Sequence, residues 1–465
     1  MFLLPHNERL EVLKQQCPGL EISVDPVVLE RHGCDWTRFR TPAPAAVIFP
    51  RSIEDVQALV RVAAQHFIPL VPSGGRTGLS GGAVAADGEV VVSFDRMRNI
   101  LDFNPLDRTV TVEPGVVTET IQEYAAQRNL YYPVSFASEG SSQIGGNIAT
   151  NAGGIRVLRY GLTRDWVVGL KIVDGRGELL ECNGGLIKNA SGYDFRHLFI
   201  GSEGTLGLVV EATIRLAEPP LPSQVMLLAV SGLEAMMDVF KRFNDSLTLT
   251  AFEFLSDAAL HHVRQGHGLP APMDTETPYY ALLEYECSDT GDEDKALECF
   301  EFCLEEGFLL DGVISQSDTQ SADLWRYREG ISEAITPFTP YKNDLSVRIS
   351  AVPAYLDGLD GLVRKHYPDF EVLWYGHIGD GNLHMNILKP GNMSVEEFET
   401  ACGQVNPEIF ALTRDFHGSI SAEHGIGLLK KTYLGYSRSE ADIERMRAIK
   451  AVFDPRNIMN PGKLL

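Results

Sequence analysis

The sequence predicts an α+β protein made of two domains and a helical C-terminal segment. Three patterns predict it. Up to residue 219, short β-branched runs broken by glycine alternate with segments of helical period. A proline-rich interruption, "LAEPPLPSQ" (residues 216–224), then marks a boundary. Beyond it, helix, strand and helix patterns follow one another, as in an α+β domain with an antiparallel sheet.

In chain order, the first strands are "AAVIFP", "FIPLVPSGG", "EVVVSF", "RTVTVEPGV", "WVVGLKIV" and "GTLGLVVEATIRL". The first clear helix is "SIEDVQALVRVAAQH", with Ser52 as N-cap and acids in its first turn. After the boundary, "VSGLEAMMDVFKRFND" reads as helix, "TPYYALLEYEC" as strand and "DEDKALECFEFCLEEGF" as helix, where Cys299 and Cys303 share a face as free thiols. Past residue 405 the pattern is helical again, ending in "FDPRNIMNPGKLL", with enough apolar and turn residues to dock on the first domain. The expected divisions are 1–219, 220–405 and 406–465. The chain of 465 residues exceeds a single simple core, because domains hold roughly 100–200 residues.

Composition narrows the function classes. Acids outnumber bases 63 to 40 for a formal charge of -23, which excludes sequence-independent nucleic-acid binding through basic surface. That balance suits a partner with a basic face without identifying one. The 7 cysteines form no CxxC and are odd in number, so neither a disulfide framework nor a thiolate zinc site is expected. The start lacks the features of a signal peptide, and no apolar run approaches the roughly 20 residues that cross a bilayer. The expectation is a cytoplasmic protein without a transmembrane segment.

Three glycine segments carry the first chemistry: "PSGGRTGLSGG" (72–82), "SEGSSQIGGNIATNAGGIRVLRYG" (138–161) and "IGSEGTLGLV" (200–209). The first can turn backbone N–H groups inward around phosphate oxygens. It has neither the Walker ending nor the spacing of the dinucleotide fingerprint, and alone it could be a surface turn. Three such segments together suggest an extended polar ligand approached closely by backbone, a diphosphate being the natural candidate.

These segments resemble the FAD-binding domain of the vanillyl-alcohol-oxidase-type flavoproteins, and the resemblance runs through nearly the whole chain. It implies a two-part FAD-binding domain and a substrate, or cap, domain. It implies FAD contacts from Pro72, Ser73, Gly74, Gly75, Arg76, Thr77, Gly78 and Leu79, and from Gly140, Ser141, Ile144, Gly145 and Gly146 around the pyrophosphate. Asn147, Thr150, Asn151, Gly153, Gly154, Glu203, Gly204, Leu206 and Gly207 would line the flavin and ribityl, and Asn460 of "NPGK" joins them. Arg76 departs from the smaller polar residue common in relatives; it either bonds phosphate or faces solvent. No histidine lies between His66 and His197, so the implied FAD is non-covalent.

"EVLWYGHIGDGNLHMNIL" (371–388) reads as two strands joined at Asp380-Gly381 by a two-residue turn. That register sets His377 opposite His384 and Tyr375 opposite Asn386, on one face. Opposed imidazoles can reach one ion, although a histidine pair without metal has the same pattern. "GSISAEHGIG" (418–427) places Glu423 and His424 at the end of an apparent strand, pointing to opposite sides, so that one completes a metal site and the other faces substrate. Two histidines and a carboxylate with open positions form a catalytic metal pattern. Zinc fits these ligands best, with manganese, iron and cobalt as alternatives.

"GHIGDGNLHMNI", "SAEHGIG" and "NPGK" resemble the D-2-hydroxyacid dehydrogenase branch of the flavin family. The resemblance implies metal ligands His377, His384 and Glu423 and a catalytic base, His424. "REGISEAI" and "YKNDLS" are similar to the subgroup acting on D-2-hydroxyglutarate. There the counterparts of Arg328, Ser332 (commonly a threonine) and Lys342 hold the distal carboxylate, while Asn386 bonds the substrate or steadies the ligands. Unaided by that resemblance, Arg328 reads as a surface arginine in an acid-rich helix. The implied reaction takes a D-2-hydroxy acid to its 2-oxo acid by hydride transfer to flavin. Electrons would pass to an electron-transfer flavoprotein or quinone-linked carrier, and a homodimer is expected. Alternatives are a D-lactate, D-malate or glycolate dehydrogenase, a flavin-free metallohydrolase, and a non-catalytic binding protein.

Overall fold

A computed structural model of the chain describes residues 5–37 and 39–465. It divides into two compact units. The first comprises the chain up to Gly153, then Gly161–Pro219 and Glu423–Leu465; the second comprises Gly154–Tyr160 and Pro220–Ala422. The helix Val395–Asp415, which straddles the division expected at 405, therefore lies wholly in the second unit.

Among the described residues the first unit holds two sheets. β1 (Glu21–Ser23), β2 (Ala46–Phe49), β3 (Leu70–Ser73) and β4 (Val90–Ser93) form one, in the order β1-β2-β4-β3. Its last three strands are parallel. The other is antiparallel, built from β5 (Ile100–Asn104), β6 (Thr109–Val112), β7 (Val167–Asp174), β8 (Leu179–Cys182) and β9 (Gly207–Arg215) in the order β5-β6-β9-β7-β8. The helix Ile53–His66 starts where the sequence predicts, with Ser52 Oγ accepting the Asp55 N–H at 3.2 Å. Its stripe of Val56, Leu59, Val60 and Ala63 is buried in one core with Leu70, Val90 and Val92.

The second unit is built on a seven-stranded antiparallel sheet: β10 (Ser223–Val230), β11 (Leu249–Ser256), β12 (Tyr279–Glu286), β13 (Leu309–Ile314), β14 (Tyr341–Ser346), β15 (Val372–Gly376) and β16 (Asn382–Ile387), in the order β13-β10-β12-β11-β15-β16-β14. Its central strands are nearly continuous apolar runs because both faces are covered. One face buries Ala251, Leu255, Leu282, Leu373 and Tyr375 with Trp325 and Ile331. On the other, Phe240 of the helix Leu233–Ser246 meets Phe252 with ring centroids 5.0 Å apart.

Two local expectations are corrected. Residues 377–381 do not form a two-residue hairpin turn. A short 3-10 turn, Ile378–Asp380, joins β15 to β16. The observed partners are Tyr375 with His384 and Leu373 with Asn386, so His377 lies beyond the ladder and does not oppose His384. The wider turn is held by the Asp380 and Asn382 N–H groups on the His377 carbonyl and by the Val347 N–H on the Gly381 carbonyl. The second correction concerns residues 418–427, which are no strand. They make one isolated bridge, Ser419 with Ser346, and Glu423 and His424 lie on irregular backbone beyond it. The alternation argument for those two residues therefore lapses.

Candidate active site

In the first unit the three glycine segments converge. A Cβ on Gly75 would collide with the Ser141 carbonyl and lie 2.7 Å from Ser142 Cα, so the first two segments touch backbone to backbone. One on Gly204 would lie 2.6 Å from Pro72 Cγ, which brings the third segment to the first. The Asn460 carboxamide closes the set, donating to the Gly82 carbonyl at 2.9 Å and the Glu203 carbonyl at 2.7 Å. Around this cradle three buried side-chain atoms, Ser73 Oγ, Gln143 Oε1 and Asn460 Oδ1, have no intramolecular hydrogen bond. Buried polar atoms left unpaired in a backbone-lined cradle fit a polar, phosphate-bearing ligand.

Other side chains of the cradle are engaged within the protein. Asn147 donates to Thr118 Oγ1 at 2.6 Å, and Thr150 Oγ1 donates to the Gly146 carbonyl at 3.1 Å. The Asn151 carboxamide oxygen accepts the Arg164 N–H at 3.0 Å. Arg76 donates to the Gly74 carbonyl at 2.8 Å and lies 3.5 Å from Asp95. Its side chain is only 16 % exposed, so the solvent-facing alternative does not hold. Asp95 also takes the Gln143 amide at 2.8 Å and pairs with His32 at 3.1 Å. Burial pushes its carboxyl up, but His32, Arg76 and Gln143 together hold it well below the usual carboxylate range. The Glu203 carboxylate accepts the N–H groups of Ile426 and Gly427, each at 2.8 Å, although burial pushes its pKa up. It thus secures the turn that follows Glu423 and His424.

In the second unit, one face of the sheet carries a polar cluster. Residues directly opposed across a ladder share a face, and β14 sets Lys342 opposite Asn386 and Asp344 opposite His384. Among the described residues Lys342 has no ion pair, and desolvation lowers its pKa. Neither atom of the buried Asn386 carboxamide has a hydrogen-bond partner. The rings of His377 and His384 stand 5.5 Å apart at 81°. His377 Nδ1 lies 2.8 Å from Glu253 Oε1, and His384 Nδ1 lies 3.9 Å from Asp344 Oδ1. A carboxylate oxygen there accepts a proton carried on Nδ1, which leaves Nε2 as the ring nitrogen turned away from Glu253.

Two further predicted substrate anchors, Arg328 and Ser332, arrive from two consecutive helices, Asp318–Glu329 and Ile331–Ile335. Arg328 Nη2 lies 2.8 Å from Glu253 Oε2, without the alignment of a hydrogen bond, and its Nε is buried and unbonded. The guanidinium sits 4.9 Å over the Tyr375 ring, whose hydroxyl is 3.0 Å from Ser332 Oγ. The structure therefore gathers Arg328, Ser332, Lys342, His377, His384 and Asn386 within one unit. Sequence reasoning missed Glu253 and Asp344, both fully buried. The signal for Glu253 was present: a lone acid inside the apolar strand "LTAFEFLS" requires a partner when buried.

Residues 220–464 match the family described as FAD linked oxidases, C-terminal domain. Residues 44–183 match the FAD binding domain. The chain is 57% identical over 447 residues to a D-2-hydroxyglutarate dehydrogenase of Stutzerimonas stutzeri, covering 96% of each chain. It is 56% identical over 458 residues to a protein of the same name from Xanthomonas citri, covering 98% of this chain and 97% of that one. The solved structure of a 4-ethylphenol oxidase from Gulosibacter chungangensis superposes with a TM-score of 0.76 at 18% identity, over 99% of this chain and 98% of that one, a likeness of fold.

Proposed function

The chain belongs to the FAD-linked oxidase family and is an FAD-dependent oxidoreductase, and from that premise we propose that it oxidises D-2-hydroxyglutarate to the 2-oxo acid. The observation that carries the substrate is the half-buried Lys342, whose ammonium is desolvated without a counter-ion among the described residues, opposite the unbonded Asn386. A desolvated cation calls for an anion, and a dicarboxylate brings a second carboxylate that a simple 2-hydroxy acid lacks. Lys342 and the unbonded Nε edge of Arg328 take that distal carboxylate, with Ser332 beside them. Asn386 bonds the C1 end. His424 takes the C2 hydroxyl proton as general base. The glycine cradle would hold FAD non-covalently, and FAD there would supply the acceptor for the hydride of C2. A divalent ion on His377, His384 and Glu423, zinc by ligand type, would supply a Lewis acid for the carboxylate and hydroxyl. Electrons then pass to an electron-transfer flavoprotein or quinone-linked carrier, and the working assembly is a homodimer.

The test is anaerobic bleaching of the bound flavin by D-2-hydroxyglutarate, D-lactate, D-malate and glycolate. The expected result is fastest reduction by D-2-hydroxyglutarate, loss of reduction after chelation, and a yellow but unreduced His424→Ala variant. Faster bleaching by D-lactate would overturn the substrate assignment. Rapid reduction of His424→Ala would overturn the base.

A further inference from the structure

Glu253 is fully buried in β11, near the middle of the seven-stranded sheet. Its two oxygens serve two different partners: Oε1 lies 2.8 Å from His377 Nδ1 and Oε2 lies 2.8 Å from Arg328 Nη2. Both partners are nearly as buried, at 8% and 6% exposure. Buried ion pairs add little net stability, because desolvation offsets their attraction. A carboxylate in this position therefore needs a reason beyond stability. Resting on the metal and substrate reading above, we infer that Glu253 is a positioning residue that sets the metal-facing edge of His377 and the carboxylate-facing edge of Arg328 from one side chain.

Two consequences follow from the geometry. Accepting the Nδ1 proton fixes the His377 tautomer and ring plane, which raises the basicity and order of Nε2. Holding Nη2 keeps the guanidinium over Tyr375 and leaves Nε as the edge that can receive a carboxylate. Because one carboxylate holds both groups, the interval between the ends of the bound acid is built into the sheet. Glu253 thus becomes a determinant of chain length as well as of metal affinity.

The experiment uses full-length wild-type protein, Glu253→Gln and Glu253→Asp, each stripped of metal and titrated with Zn2+ against a chromophoric chelator. KM is measured in parallel for D-2-hydroxyglutarate and D-lactate. Glu253→Gln is near-isosteric but cannot serve a histidine donor and an arginine together. It is expected to bind Zn2+ about 10–100-fold more weakly and to raise KM for the dicarboxylate more than for D-lactate. Glu253→Asp, one methylene shorter, reaches only one partner and is expected to lose one of the two properties. If wild type takes up no metal, the underlying reading fails and this inference with it. If wild type binds Zn2+ and Glu253→Gln binds it equally tightly, or raises both KM values by the same factor, the inference alone is overturned. Should Glu253→Gln not fold, unchanged affinity and unchanged acid preference in Glu253→Asp overturn it.

Discussion

Partial burial pulls the ammonium of Lys342 below lysine's usual pKa, with no ion pair among the described residues to restore it. The sign of the effect follows by linkage. The folded protein holds this proton less tightly than the unfolded chain, so the penalty is present while Lys342 is charged and fades as pH rises toward about 10.4, the ordinary lysine value. Lys342→Met is therefore expected to raise the melting temperature of the unliganded protein at pH 7. The same substitution should raise KM for D-2-hydroxyglutarate roughly tenfold or more, since a hydrogen bond to a charged group contributes about 1.5–3 kcal/mol. In wild type, KM should climb with pH earlier than an exposed lysine would dictate, and that climb should vanish in the variant. A melting curve and a KM–pH profile check both. At this scale the sequence marked the polar residue types of the hairpin, and the structure sets the rings of His377 and His384 5.5 Å apart. For Glu253 the need for a partner was legible but the partners were not, because they come from elements distant in sequence. The Arg328 and His377 that meet it lie 75 and 124 residues away.

The hairpin shows how an element can be read correctly in kind and wrongly in register. Its two strands, their antiparallel pairing and the two histidines are all present in "EVLWYGHIGDGNLHMNIL". The turn is not, because its length is decided by tertiary contacts. Gly381 has φ +86, and a Cβ there would run into the Val347 carbonyl oxygen. Gly379 is pressed on Phe252, with an added Cβ 2.9 Å from that side chain. A slip of two residues keeps the same side chains on the same face, so His384 still looks toward Tyr375 and the polar cluster survives the error. Gly381→Ala is expected to lower stability by more than about 1 kcal/mol, since it adds backbone strain to a steric clash. Urea unfolding would measure it. The irregular course of residues 418–427 escaped sequence reading for a related reason. "GSISA" has strand-like alternation, but only Ser419 finds a ladder partner.

For the whole molecule, fold class and the glycine cradle were legible because glycine clusters report backbone approach directly. The return of the chain was legible only in outline, since nothing in local composition marks Glu423 as the point where it rejoins the first unit. That return is structurally specific: Met459 bridges Leu70, the Asn460 N–H bonds the Leu70 carbonyl, and the Leu464 N–H bonds the Gly427 carbonyl. Asn460→Ala is expected to purify with less FAD per chain and to lose it faster on dilution, read from the ratio of flavin to protein absorbance.

The bond between Asn460 and Gly82 spans 378 residues. At a synthesis rate of about 5–20 residues per second, roughly 20–75 s separate the emergence of those two residues from the ribosome. Throughout that interval the nascent cradle lacks its closing carboxamide. Completion of the cradle is thus a late event in the life of the polypeptide, timed by translation and not by the local folding of the glycine loops.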